Sequence, residues 1–202
     1  MRSYSEIETI IKRATKAIGF SWGISEEVGK NIKLLEMFGL PGLKNLNQYF
    51  KIYNISNFEN IGEISSSNTA KGYYCPIFCG LNFFDQSPII SKFNEIEINR
   101  IAFPLIFLSF LSRASEITGK RIFLKMDNKE FLFNFNESIY SNYLSGDILE
   151  KSDKINIKFL DNQNNFSEND WSEIHKLSIK TYVEESEESK ARTAGAGLTD
   201  ND

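Results

Sequence analysis

The stretch from Ile101 to Leu111 constrains this chain more than any other. Pro104 suits the first position of a helix, and Gly119 suits the residue that stops one. Between them Leu105, Ile106, Phe107, Leu108, Phe110 and Leu111 fall on every side of the helix axis. A helix apolar all round must be covered all round. The run is about half of what a membrane span needs, and Arg113 follows it. The expectation is therefore a central buried helix, Pro104 to about Thr118, around which the rest of the chain packs.

What surrounds it reads as mixed. Ser3 or Ser5 can cap a first helix with Ile7, Ile10, Ile11, Ala14, Ala17 and Ile18 along one face, ended by Gly19. Ser25 reads as the cap of a second helix with Glu26 and Glu27 in its first turn, where the dipole favours acids, and Gly39 as its stop. A short third helix carries Leu43, Leu46, Tyr49 and Phe50. Asn54 to Ala70 is polar and reads as loop around Ser65–Asn68. Gly72 to Phe84 reads as an aromatic strand bent at Pro76, and Glu95 to Ile101 as a half-buried strand with its acids on the solvated face. Arg121–Met126 and Glu130–Phe135 form a hairpin through Asp127-Asn128, and Lys154–Leu160 is a further strand. Ser167 caps a last helix to about Val183, with Trp171, Ile174 and Leu177 inward. The fold class expected is α+β: an N-terminal helical hairpin, a mixed or antiparallel sheet with a central buried helix, and a C-terminal helix.

The chain has 202 residues, 41% hydrophobic and 25% charged, with 17 Phe and 8 Tyr, enough to bury a sizeable core. Its net charge of −4 belongs to the end. Residues 184–202 hold six acids and two bases, so residues 1–183 balance at 21 against 21. The expected organisation is one domain, 1–183, with a sub-boundary near 51–70, and an acidic flexible tail, 184–202. A neutral body lacks the footprint of a nucleic-acid binder, and no stretch reads as a membrane span. Ile appears 25 times against two Val, Lys outnumbers Arg 17 to 6, and Asn appears 20 times. All three favoured residues have A/T-rich codons, so the bias carries no functional meaning. The N-terminus lacks the apolar core of a secretory leader, and two cysteines are too few for a disulfide scaffold. A cytoplasmic location is expected.

Few residues offer chemistry. A metal site wants four ligands, and Cys75 and Cys79 with His175 are a poor supply; no metal is expected and no cofactor is indicated. A nucleophilic Cys75 would need His175 as its base; otherwise the thiols are small buried groups. Glu26 or Glu27 can face a pocket rimmed by Ser21, Trp22 and Gly23, but adjacent helix positions diverge, so the two cannot serve one site equally. Arg113 can pair with Glu116 three residues on, or receive a carboxylate or phosphate. The Gly-rich Thr193–Leu198 is not a phosphate loop, since it lacks the Lys-Ser/Thr ending.

Gly19-Phe20-Ser21-Trp22-Gly23, Glu26-Glu27-Val28-Gly29 and Gly39-Leu40-Pro41-Gly42-Leu43, with Cys75-Pro76, Gly80, Asp85 and the ending Gly195–Asp202, resemble a bacterial family, domain of unknown function 3726. The resemblance extends over nearly the whole chain and implies a free-standing bacterial protein. It brings no activity, cofactor or site residue with it.

Two functions remain in view. One is a non-catalytic accessory subunit or binding module that meets a protein partner through residues 184–202. The other is a small-molecule enzyme with catalytic candidates Cys75, Glu26 and Asp85, and ligand-binding candidates Ser21, Trp22, Glu27 and Arg113.

Overall fold

A computed structural model describes residues 2–53 and 57–182 of the chain. The chain divides into two compact units, Met1–Asn162 and Gln163–Asp202.

The first unit opens with three helices, α1 (Tyr4–Ala17), α2 (Trp22–Met37) and α3 (Gly42–Tyr53). Ser3 caps α1, its Oγ accepting from the Glu6 amide, while the Glu6 carboxylate pairs with Arg2 rather than closing a capping box. Ser21, not Ser25, caps α2. The helix begins one turn earlier than expected because Ser21 Oγ accepts from the Ile24 amide and Ser25, fully buried, donates to the Ser21 carbonyl. Glu26 and Glu27 therefore lie beyond the first turn, and the dipole account of them does not hold.

Next come β1 (Ser67–Tyr74), α4 (Pro76–Ile90), β2 (Ile96–Ala102) and α5 (Pro104–Thr118). The stretch expected as one bent strand from Gly72 to Phe84 is thus the end of β1 followed by a helix. Pro76 does not bend a strand; it occupies the first position of α4, where its missing N–H costs nothing. The unit closes with β3 (Arg121–Met126), β4 (Lys129–Asn134), β5 (Ser138–Ser141) and β6 (Lys151–Leu160). Asp127, at φ +53°, makes the tight β3–β4 turn.

The strands form one mixed sheet in the order β1-β2-β6-β3-β4-β5, with β1 parallel to β2 and every other pair antiparallel. Ile96, Ile98, Ile122, Leu124, Phe131, Phe133, Ile155 and Ile157 are all buried. Helix α5 packs against β3, β4 and β6, and Leu105–Leu111 are fully buried, as the opening constraint required. Helices α2, α3 and α4 also pack on α5, so it is covered from both the sheet and the helices. The fold is α+β.

The second unit contains α6 (Glu168–Ile179), capped by Ser167 with a complete Ser167/Asp170 capping box. Trp171, Ile174 and Leu177 were expected to face inward, but α6 buries none of its residues. The expected extension to Val183, and the tail 184–202, lie outside the described residues.

A groove between three helices as candidate functional site

Helix α2 reaches α5 through one strong contact. Arg113, near the end of the buried stretch of α5, donates through Nη1 to Glu27 Oε2 at 2.5 Å. Its guanidinium lies over the Phe84 ring of α4, with Cζ 4.4 Å from the centroid. Both side chains of the pair are mostly buried, at 18% and 25% exposure. The partner expected from spacing, Glu116, instead accepts from Asn136. Arg113 does receive a carboxylate, and that carboxylate belongs to its own chain.

Lys30 extends the network. It reaches both Glu26 and Glu27 at 3.1 Å, and Lys12 of α1 holds the other oxygen of Glu26 at 2.9 Å. A lysine three and four residues on from an acidic pair can bridge both, so the divergence of adjacent helix positions does not separate them. Burial alone would raise the Glu27 carboxyl, but Arg113 and then Lys30 outweigh it and hold it below the ordinary carboxylate value. Glu26 is lowered by Lys12 and Lys30, and Lys30 is raised by both glutamates.

Around this network runs an open groove of about 640 Å³. Its lining includes Glu26, Glu27, Asp85 and Arg113, with Phe78, Leu81 and Phe84 as an apolar wall. Four residues named from the sequence thus meet in one place. Asn82, also on the wall, was missed, although Phe78, Leu81, Asn82 and Asp85 follow helical i, i+3, i+4, i+7 spacing. That signal was legible only once the segment was read as helix. Lys30 was visible in the same way, whereas Lys12 comes from another helix and left no local trace.

The other candidates lie elsewhere. Ser21 is occupied as the α2 cap. Trp22 lines a separate cleft of about 470 Å³ with Lys12, Arg13 and Glu26, and Lys16 sits over its ring. Cys75, the residue before α4, is buried, with its Sγ 2.9 Å from the Tyr49 hydroxyl. Burial pushes its thiol up, and does so to Cys79 as well. A thiol held protonated is a poor nucleophile. His175 lies on α6, its ring 6.5 Å from that of Trp171. Among the described residues no cluster of His, Cys, Asp or Glu is placed to hold a metal ion, and no helix is long and apolar enough to cross a membrane.

The fold and the groove define an α+β protein whose helical layer carries a mixed polar and apolar recess. Residues 2–75 match the model of a family described as Protein of unknown function (DUF3726), which bears out the resemblance to domain of unknown function 3726. The three glycine-rich motifs between Gly19 and Leu43 fall inside the match, whereas Pro76, Gly80, Asp85 and the ending lie past it. No curated protein and no solved structure matches the chain.

Proposed function

We propose that this protein is a non-catalytic binding module, a cytoplasmic bacterial accessory subunit that holds a small ligand in the α2/α4/α5 groove and docks to a protein partner through residues 184–202. One observation carries the reading: two of the groove's three acids, Glu26 and Glu27, are tied into a Lys12–Glu26–Lys30–Glu27–Arg113 chain that holds both carboxyls below the ordinary glutamate value. General acid–base work at neutral pH wants a group that titrates near 7. Fixed charges beside an apolar wall suit recognition instead. The enzyme alternative also loses Cys75, which is buried against Tyr49 and does not line the groove.

Native mass spectrometry of the tagged chain from its own host tests this, beside a chain ending at Val183 and an Asp85→Arg variant. The expected result is a second polypeptide on the full chain that is lost with the tail, and a retained small molecule that is lost in Asp85→Arg. A strictly monomeric chain carrying neither overturns the proposal.

A further inference from the structure

The polar groups of the groove divide into those already satisfied and those still open. Each oxygen of Glu26 and of Glu27 faces a cation of the chain itself. Asp85 differs: among the described residues it has no ion-pair partner, and in particular it does not pair with Arg113. Asn82 commits its Nδ2 to the Ile61 carbonyl, while its Oδ1 accepts no hydrogen bond from a described residue. Arg113 uses Nη1 for Glu27, and its remaining N–H groups have no partner among the described residues. Asn82 and Asp85 are three apart on α4 and so share a face. Phe84, on which the Arg113 guanidinium lies, is the residue before Asp85, which brings that guanidinium to the same turn of α4. One free carboxylate with an amide oxygen, one guanidinium with open donors, and an apolar wall of Phe78 and Leu81 thus line one recess.

A purely anionic ligand would meet Asp85 and Glu27, and a purely cationic one would meet Arg113. A ligand carrying both charges satisfies both, and a guanidinium is well suited to a carboxylate. We infer, resting on the groove reading above, that the ligand is a small zwitterion of amino-acid type with an apolar side chain. Its ammonium is held by Asp85 and Asn82 Oδ1, its carboxylate by Arg113, and its side chain by Phe78 and Leu81.

Isothermal titration of the full chain with L-phenylalanine, 2-phenylethylamine and 3-phenylpropionate separates the charges. L-phenylalanine is expected to bind at least about tenfold tighter than either single-charge analogue, one such factor being one good polar contact. Asp85→Asn is expected to bring L-phenylalanine down to the level of 3-phenylpropionate. Arg113→Lys, which keeps a cation beside Glu27, is expected to weaken L-phenylalanine and 3-phenylpropionate and leave 2-phenylethylamine unchanged. Equal binding of either analogue, or no binding of L-phenylalanine at millimolar concentration, overturns the zwitterion. If the titrations fail while Asp85→Arg still sheds a retained small molecule in native mass spectrometry, only the ligand class falls. If Asp85→Arg keeps that molecule, the groove reading falls with it.

Discussion

At the scale of single residues, two groups separate packing from chemistry. Cys75 has the surroundings of a structural group: it is buried, its thiol is pushed up by burial, and it shares a hydrogen bond with Tyr49, itself fully buried among Phe50, Tyr53, Phe58 and Phe103. Cys75→Ala leaves that phenol without its partner and should cost about 1–3 kcal/mol of stability. Cys75→Ser, which can still hydrogen-bond, should recover much of it. Urea midpoints of the three proteins decide the matter, and an unchanged midpoint in Cys75→Ala would remove the buried-partner account. Glu27 is the second such residue. Because its pair with Arg113 is largely shielded, Glu27→Gln should destabilise by about 1–2 kcal/mol, between the worth of an exposed pair and a buried one. Glu26→Gln, whose partners are surface lysines, should move the midpoint much less.

At the scale of elements, the contact between α4 and α5 sets the groove, and Gly80 sets that contact. A Cβ built there lies only 2.2 Å from Cδ2 of the Phe110 ring, which is itself fully buried. Gly80→Ala should therefore cost upwards of about 2 kcal/mol through overpacking, despite the better helix propensity of Ala. Thermal unfolding should show it, and a stabilised variant would mean that the helices sit further apart than described. Gly80 also shows where sequence reading stopped. Helix α5 was legible from Pro104 to Gly119 because an apolar run between a proline and a glycine has few other solutions, and the β3–β4 hairpin because Asp127-Asn128 suits a tight turn. Helix α4 was not, since Tyr-Tyr-Cys-Pro-Ile-Phe-Cys is rich in strand-favouring side chains and Pro76 has two readings, strand breaker or helix start. Only burial against α5 decides between them. The same limit governs the site: Glu26, Glu27, Asp85 and Arg113 were nameable one by one, but their meeting depends on α4 being a helix and on α2 starting at Trp22.

At the scale of the whole molecule, the shifted groups act together on the pH range of stability. Glu26 is lowered by Lys12 and Lys30, Glu59 by the Gly72 amide, Glu97 by Lys154, and Glu27 by Arg113 and Lys30 against its burial. A carboxyl whose folded value lies below its unfolded one contributes stability that is complete above the unfolded value, near 4.3 for Glu, and is lost as pH falls through the folded value. Stability should therefore begin to fall below about pH 5. On the other side Cys75 and Cys79 are raised by burial, as are Tyr49, Tyr53 and Tyr74. For groups with raised folded values the contribution is complete below the unfolded value and is lost as pH rises past it. The decline should start near pH 8.5 with the thiols and steepen past about 10 with the phenols and with Lys30, whose folded value is also raised. Urea midpoints by far-ultraviolet circular dichroism from pH 3 to 11 should thus trace a plateau between about 5 and 8.5. In the Cys75→Ala, Cys79→Ala double variant the alkaline edge should move toward about pH 10, because the raised phenols and Lys30 remain while the two thiols are gone. An alkaline edge that stays in place would assign the loss to some group other than the two buried thiols.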